Sequence, residues 1–430
     1  MGRAGSHHAM DALRRAAGRR STARLCACAL VLAALPAVGS SAAASGAGSA
    51  WPQLGFNAAH TGVNPNETAL SAANVPTLTQ QWIHQQGINP PDDPVAAGGL
   101  VYFVGSDGVL VALNGMTGAP TWSFTEPSTL TDPVVVGSVV YTSASEELYA
   151  LNARTGAVER ATPIVANAGL VYAGGVLYTE PADSSGPVPM GAYSASTGEQ
   201  LWTANVGSLI APPAVGDGEV FALDNQGNGA GQRVLRARSA VDGHALWSRV
   251  IGPQVNATPV VSGNTVIVTT IAAHMVALNA TTGALLWRKT MGPKRTTFGE
   301  SAPAIYRGKV YQILELGCVN GRHLSGITVR GLTTGTRVWS HVYENIPCAD
   351  AKVGGGGPRS PTIANGLVYL PAMNAKKIRI FTTGGKPVTV LSTGEFTMST
   401  VVVAAGQLYV STWDPFQSPD GAGYLQAFSP

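Results

Sequence analysis

The sequence contains little charge and few cysteines. Charged residues make up 12% of the 430 residues, which is low for a soluble protein. The four cysteines include no adjacent pair, and the chain has no nucleophile elbow, no zinc-ligand spacing and no Cys/His pair in a helical context. After the first 24 residues no basic run follows that would suggest a nucleic-acid partner. The sequence therefore lacks the common motifs of metal binding, thiol catalysis and nucleic-acid binding.

The first 44 residues have the pattern of a signal peptide. Five arginines between Arg14 and Arg24 precede an apolar run from Leu25 to Val38, and Ala42-Ala43-Ala44 offers a cleavage site. The apolar run is too short to span a bilayer, so we predict no transmembrane segment. Cleavage changes the formal charge from +3 to −2. We therefore expect a secreted, extracellular or envelope protein that begins with a short linker, residues 45–50.

What the chain does contain is a motif that recurs seven times. A Thr-Gly or Asp-Gly step is preceded by Asn or Ser and, in most copies, followed four residues later by Trp. The steps end at Gly118, Gly156, Gly198, Gly243, Gly283, Gly335 and Gly384, at intervals of 38 to 52 residues. This interval is typical of a four-stranded propeller blade. The corresponding tryptophans are Trp122, Trp202, Trp247, Trp287 and Trp339, whereas Arg160 and Val388 take the position in two copies.

Each motif position has a physical explanation. A β-branched apolar run before the step is typical of a buried strand, and Gly accepts the positive φ of a tight hairpin. The indole that follows can cover the neighbouring blade, provided that its N–H finds a partner. Upstream of each copy, a proline, an apolar run and a Gly turn predict the inner hairpin of the blade. The pattern predicts an all-β protein with four-stranded antiparallel blades.

The number of blades follows from both ends of the chain. The last unit has an inner hairpin and a third strand at Tyr424–Ser429, but it ends before any Thr-Gly step. Leu78–Ile83 contains Trp82 and has no upstream strands of its own. We predict that this N-terminal strand completes the C-terminal blade, which closes the ring and removes free sheet edges. Residues 51–430 would then form a single eight-bladed propeller, with 51–84 as lead-in and closing strand.

The sixth blade, which is the longest, holds the candidate binding residues. Cys318 and Cys348 are the two cysteines that remain after cleavage; export favours a disulfide between them, and two buried thiols are the alternative. The sequence around Glu315, Arg322 and His323 predicts a long loop, which is either a binding loop or a mobile surface segment.

The motif Ala-x-Asn-x-x-Thr-Gly-x-x-x-Trp resembles the tryptophan-docking repeat of pyrroloquinoline-quinone (PQQ) propellers. The lead-in Trp51–Asn57, with His60 after it, looks like the start of the same superfamily. The resemblance covers about residues 51–430 and implies an eight-bladed ring with Trp82, Trp122, Trp202, Trp247, Trp287 and Trp339 as structural docking residues. His60 is either a ligand or a structural hydrogen-bonding residue.

The resemblance leaves the activity open. Its relatives include quinoprotein alcohol dehydrogenases and the non-catalytic propeller lipoprotein of outer-membrane assembly. The dehydrogenases pack an adjacent-cysteine disulfide on the quinone, which this chain lacks, and hold calcium with Glu and Asn. Glu180, Asn256, Glu300 and Asp350 are acidic or amide residues in predicted loops, but none matches a motif. We therefore predict no catalytic residues, cofactor or metal, and expect a monomeric exported scaffold that binds a protein or an envelope polymer. The alternatives are a PQQ- and calcium-dependent alcohol or sugar dehydrogenase and a hydrolase that uses funnel carboxylates.

Overall fold

The fold is known from a computed structural model of the chain. It describes residues 49–144, 147–164, 169–179, 188–209, 211–225, 232–253, 257–270, 274–291, 301–348, 359–372, 376–417 and 421–430. The predicted signal peptide, residues 1–44, and most of the predicted linker, 45–50, lie outside these ranges. Among the described residues, none of the helices has the length and apolar character needed to cross a bilayer.

Eight antiparallel sheets of four strands form the ring, and each is named here as a blade in chain order. The strands of blades 1 to 4, from the axis outward, are Val95–Ala97, Leu100–Val104, Leu110–Asn114 and Pro120–Phe124; Val134–Val136, Val139–Ala144, Glu147–Asn152 and Val158–Pro163; Val171–Ala173, Val176–Thr179, Val188–Ser194 and Gln200–Val206; Ala214–Gly216, Glu219–Asn225, Gln232–Ser239 and Ala245–Pro253. The short inner strands of neighbouring blades contact one another around the axis.

The second half of the ring has the same order. The strands of blades 5 to 8 are Val260–Ser262, Thr265–Thr270, His274–Asn279 and Leu285–Thr290; Ala304–Tyr306, Lys309–Val319, Arg322–Gly331 and Arg337–Pro347; Thr362–Ala364, Leu367–Ala372, Lys377–Thr382 and Pro387–Ser392; Val402–Ala404, Gln407–Asp414, Ala422–Ser429 and Thr79–Gln85. Val63–Asn64, Ser208–Leu209 and Phe396–Thr397 are short additional strands, and Val75–Thr77 is a 3-10 helix.

The N-terminal strand closes the ring, as the sequence predicts. Thr79–Gln85 is the outer strand of blade 8 and pairs antiparallel with Ala422–Ser429. Gln80 lies opposite Phe428 and Trp82 lies opposite Ala427, with a bulge between the two pairs. The predicted eight-bladed, all-β architecture is therefore confirmed, and the two ends of the chain share one sheet.

The sheets are buried towards the axis and between blades. Second strands such as Thr265–Thr270 are buried along their whole length, whereas outer strands such as Leu285–Thr290 alternate, with the indole of Trp287 buried between exposed neighbours. Continuous β-branched runs therefore occupy the interior positions, and the mixed sequences occupy the rim.

Six tryptophans connect successive blades. Each indole N–H donates to a main-chain carbonyl of the next blade at 2.5–3.3 Å: Trp82 to Gly115, Trp122 to Ala153, Trp202 to Ala240, Trp247 to Ala280, Trp287 to Leu332 and Trp339 to Thr383. A glycine of the same turn lies under each ring, and a Cβ added there would approach ring atoms at 2.5–2.9 Å. The glycine of the repeat is therefore required for space as well as for positive φ.

Arg160 replaces the indole at the end of blade 2. Its guanidinium donates to the carbonyls of Ala195 and Ser196, both at 2.7 Å. The carbonyl of Ala195 corresponds to the carbonyls that accept from tryptophan elsewhere in the ring, and Gly198 packs against the Arg160 side chain. A planar cation thus occupies the position of an indole and bonds the same acceptor.

The last copy of the repeat lies one residue later than the predicted step at Gly384. The turn of blade 7 is one residue shorter than the others. The N–H of Thr382 bonds the carbonyl of Lys386, four residues later, whereas in blade 1 the N–H of Asn114 bonds the carbonyl of Ala119, five residues later. Gly385, with a φ of +92°, and not Gly384, lies under Trp339. Thr389, and not Val388, then corresponds to the tryptophan, since it pairs with Ile380. Blade 8 has no Thr-Gly turn for an indole to cover.

Candidate functional site

Residues 51–64, named here the axial segment, contact the inner strands of all eight blades in order. The contacts join main-chain or side-chain groups of Trp51 with Ala96, Pro52 with Val135, Gln53 with Tyr172, Ala58 with Val215, Ala59 with Val261, Thr61 with Ile305, Gly62 with Ile363 and Asn64 with Val403. The eight partners are each the middle residue of a three-residue inner strand. The segment therefore makes one circuit of the axis.

The main-chain groups of the middle residue in each inner strand need hydrogen-bond partners, which explains why the axial segment runs around the axis. In an antiparallel pair, a residue whose neighbours bond the adjacent strand turns its own N–H and C=O to the other side. In blade 1 that residue is Ala96, whose N–H and C=O both bond Trp51, at 2.8 and 2.7 Å. Buried main-chain groups need partners, and the axial segment provides one to each blade.

His60 fixes the axial segment to the ring. Nδ1 lies 3.1 Å from the carbonyl of Leu54 and Nε2 lies 3.0 Å from the carbonyl of Pro213. The side chain is fully buried, and this burial lowers the pKa of His60, although both carbonyls oppose the shift. Both ring nitrogens are thus directed at main-chain oxygens, so the imidazole acts as a structural residue.

A cavity lies above the axial segment. Trp51, Leu54 and His60 form its floor, and its walls include Asp93, Arg359 and Thr400; its volume is about 120 Å³. Asp93, Arg359 and Thr400 lie two or three residues before the inner strands of blades 1, 7 and 8. We name the face at which inner strands begin the upper face and the face with the Thr-Gly turns the lower face. The cavity is therefore on the upper face.

Asp93 lines this cavity, and Asp92 and Asp132 interact electrostatically with Asp93 and with Arg359. Asp93 accepts a 2.8 Å hydrogen bond from the N–H of Thr400. Burial raises the pKa of Asp132 well above its ordinary value, Asp92 and Asp93 raise it further by repulsion, and Arg359 opposes them. Oδ1 of Asp132 and Nε of Arg359 are buried and have no hydrogen-bond partner among the residues that the structure describes. The sequence signal for these residues is that Asp93 and Asp132 each precede the proline of an inner hairpin.

The predicted binding loop of blade 6 is a β-hairpin. Glu315 lies in Lys309–Val319, Arg322 and His323 begin Arg322–Gly331, and a two-residue Asn-Gly turn with positive φ joins the strands. His323 is buried opposite Cys318 in the register. The loop prediction was wrong because Asn-Gly is the preferred sequence of a tight hairpin turn, which lets both strands continue.

A disulfide joins Cys318 to Cys348, with the two Cα atoms 5.8 Å apart. It connects the second strand of blade 6 to the end of the outer strand, and the N–H of Cys348 also bonds the carbonyl of Gly321 at 3.0 Å. Because strand directions alternate within a blade, this hairpin tip lies on the upper face. The disulfide therefore fixes the start of the connection that leads to Arg359.

Other polar candidates do not contribute to the described site. Glu180, Asn256, Glu300 and Asp350 all fall outside the described residues. Within the described ranges, no group of three or more His, Cys, Asp or Glu side chains is arranged to hold a metal ion. The site that can be built from the described chain is thus the axial cavity with its acidic surroundings.

Comparisons with known proteins agree with this architecture. A family model described as outer membrane protein assembly factor BamB matches residues 77–170. The chain is 24% identical over 248 residues to BamB of Yersinia pestis, which covers 53% of this chain and 57% of that protein. It is 25% identical over 288 residues to tetrathionate hydrolase of Acidithiobacillus ferrooxidans, covering 64% of this chain and 52% of that protein. The chain thus spans about half the length of these curated relatives.

Solved structures share the fold. A europium-containing methanol dehydrogenase superposes with a TM-score of 0.67 at 12% identity, over 89% of this chain and 98% of that one. At this identity the likeness establishes the fold alone. The family-model match over residues 77–170 and the eight-bladed ring together confirm the predicted resemblance to PQQ-like propellers, and the chain folds as an eight-bladed β-propeller.

Proposed function

We propose that this chain is an exported, non-catalytic and monomeric propeller that binds a protein partner at the cell envelope. The observation that carries the proposal is the axial segment. It gives a partner to the inner strand of every blade and forms the floor of the axial cavity. The ring is thereby a rigid scaffold whose axis is filled by its own chain, and its loops remain for recognition.

The described part of the cavity fits a quinone cofactor poorly. PQQ is a planar tricarboxylate, and among the described residues the carboxylates of Asp92, Asp93 and Asp132 repel one another, opposed by the guanidinium of Arg359. The cavity of about 120 Å³ is smaller than the roughly 300–1,000 Å³ typical of pockets for ligands of drug size. The sequence also lacks the adjacent cysteines that pack on the quinone in dehydrogenases. We therefore derive no step through this cofactor.

Envelope location and a protein partner are supported by three observations. The family model and the Yersinia pestis relative are described as an outer membrane protein assembly factor. The disulfide Cys318–Cys348 is typical of an oxidising compartment. The arginine-rich, apolar N-terminus predicts export. The acid-rich upper face and the stapled hairpin of blade 6 are the surfaces we assign to the partner.

One pair of assays tests the proposal against its alternative. Purified chain is incubated with PQQ and calcium and assayed for dye reduction with alcohols and sugars, beside a known quinoprotein dehydrogenase as a positive control. In parallel, chain exported from its own host is crosslinked in intact cells, and a variant that replaces residues 315–323 by a short Gly-containing turn is the matched control. We expect no turnover, and a crosslinked partner that the control variant loses. Saturable turnover would overturn the non-catalytic assignment.

A further inference from the structure

A cleft between blades 6 and 7, named here the rim cleft, opens on the outer side of the ring. One wall is the outer strand of blade 6, with His341 and Tyr343. The other wall is formed by the last two strands of blade 7, with Arg379, Phe381 and Val390. The volume of the rim cleft is about 410 Å³, which lies within the roughly 300–1,000 Å³ typical of ligand pockets. It is therefore large enough for several side chains of a bound segment.

Aromatic contacts hold the two walls of the rim cleft together and leave apolar surface exposed. The ring centroid of Phe381 lies 5.4 Å from that of His341 and 6.2 Å from that of Tyr343. Phe381 is buried by these contacts. Val390, which pairs with Arg379 in the neighbouring strand, is 51% exposed. A concave site with exposed apolar surface is suited to a binding partner.

The charge of the rim cleft is positive. The guanidinium of Arg379 lies 5.0 Å from the ring centroid of Tyr343. The exposed Lys377 precedes Arg379 by two residues, so both side chains project from the same face of their strand. Among the described residues that line the rim cleft, none is Asp or Glu. The cleft between blades 7 and 8, of about 360 Å³, has no charged residue in its described lining, so the rim cleft is the better match for an acidic group.

The charge of the whole ring is polarised in the same sense. Six of the 27 Lys and Arg residues precede residue 45, and the other 21 all lie between Arg154 and Lys386. The same range holds 12 Asp and Glu residues, so its formal charge is +9 (21 − 12). Blades 8 and 1, whose strands lie outside this range, contain no Lys or Arg. An acidic segment is therefore steered to the side of the ring that contains the rim cleft.

The wall formed by blade 6 is also a sheet edge in the described chain. Arg337–Pro347 is the last strand of its sheet and has 11 residues, whereas the outer strands of the other blades have between 5 and 9. An exposed edge presents N–H and C=O groups that can pair with an extended segment. Main-chain pairing can therefore add to the side-chain contacts that the rim cleft offers.

We propose that the rim cleft binds an extended segment of the protein partner in which acidic and apolar residues alternate. Side chains of an extended segment point alternately to two sides. Its carboxylates pair with Arg379 and Lys377 through charge-assisted hydrogen bonds, and its apolar side chains cover Val390. The inference rests on the proposed function, because the segment belongs to the partner, and it adds a docking surface on the outer rim.

Fluorescence anisotropy of labelled peptides tests this chemistry on the mature chain without knowledge of the partner. The probe is a short peptide in which glutamate and leucine alternate; one comparison peptide has lysine in place of glutamate, and the other has serine in place of leucine. We expect only the glutamate–leucine peptide to bind. Arg379→Gln should weaken its binding about tenfold and Lys377→Gln about threefold, because each removes a charged donor. Lys386→Gln makes the same charge change at an exposed position of blade 7 outside the described lining, and should leave the affinity unchanged.

A second variant keeps the result interpretable if Arg379→Gln destabilises blade 7. Val390→Glu places a carboxylate in the rim cleft at an exposed position and should weaken binding about tenfold by repulsion. Val158→Glu is its matched control, because Val158 is 50% exposed on the outer strand of blade 2, and it should have no effect.

The inference is overturned if the glutamate–leucine peptide does not bind, if either comparison peptide binds equally well, or if Val390→Glu and Val158→Glu act alike. None of these results depends on the crosslinking or dye-reduction assays. Turnover with PQQ, or the absence of a crosslinked partner, would instead overturn the proposed function, so the two failures are distinguishable.

Discussion

The indole of Trp82 donates a 2.9 Å hydrogen bond to the carbonyl of Gly115. Trp82 belongs to the strand that completes blade 8, and Gly115 belongs to the Thr-Gly turn between the third and fourth strands of blade 1. The bond therefore seals the ring where the two ends of the chain meet. The hydroxyl of Tyr409 donates to the same carbonyl at 3.3 Å. Tyr102 and Trp122 share the carbonyl of Ala153 in the same way.

Trp82→Ala should destabilise the whole ring. Removing a buried indole typically costs about 3–5 kcal/mol, and here it also loosens the strand that closes the sheet. Trp82→Phe should cost about 1 kcal/mol, since Tyr409 keeps the Gly115 carbonyl bonded. Urea unfolding of both variants measures the free energies of unfolding. Trp122→Ala is the control, because Trp122 joins two blades that are consecutive in the chain. A Trp82→Ala protein with wild-type stability would contradict the closure.

Gly118→Ala should cost more than Gly98→Ala. Both glycines have positive φ, +70° and +61°, but a Cβ at 118 meets ring carbons of Trp82 at 2.6 Å, whereas a Cβ at 98 meets no atom within 4 Å. Gly98→Ala therefore measures backbone strain alone, about 1–2 kcal/mol, and Gly118→Ala adds roughly 1–3 kcal/mol of overpacking. Thermal unfolding of the pair gives the difference; equal losses would show that the glycine is kept for its backbone only.

The sequence predicts the ring better than the site, for a physical reason. Blade number, strand order and closure depend on contacts within a blade and between successive blades, and a repeated motif records both. Asp132 and Arg359 are brought together from blades 2 and 7, which no local pattern records. The sequence predicts the blade 7 turn one residue too early because Thr383-Gly384-Gly385 offers two glycines. Only the hydrogen bond between Thr382 and Lys386 decides between them.

Arg160→Trp should preserve stability to within about 1 kcal/mol. The indole would restore the arrangement of the other blades, with its N–H directed at the carbonyl of Ala195 and Gly198 beneath the ring. Arg160→Met, which keeps the apolar stem without donors, should cost about 1 kcal/mol, because Tyr141 still bonds Ala195 at 2.9 Å and Ser196 is reached by water. Urea midpoints of both variants provide the test. A large loss with tryptophan would mean that blade 3 is shaped specifically for the guanidinium.

Removing the disulfide should destabilise the protein without changing its fold. Cys318 and Cys348 are 30 residues apart, and a crosslink of this span contributes roughly 2–4 kcal/mol through the unfolded state. The double variant Cys318→Ser/Cys348→Ser should lose this amount in urea unfolding under non-reducing conditions. In reducing buffer the wild type should approach the double variant. Identical curves for the two proteins without reductant would contradict the stabilising role.

The free energy of unfolding should depend on pH through the titration of Asp132. In the folded chain burial raises the pKa of Asp132 well above its ordinary value, Asp92 and Asp93 raise it further, and Arg359 opposes them. The folded state therefore retains a proton that the unfolded state releases, so the free energy of unfolding falls as pH rises from about 4 through the folded pKa. Asp132→Asn removes this fall and should stabilise the protein by on the order of 1 kcal/mol at pH 8, with little effect below pH 4. Asp242→Asn, on the lower face, is the control; a variant curve parallel to the wild type across this range would show that Asp132 does not titrate between the two states.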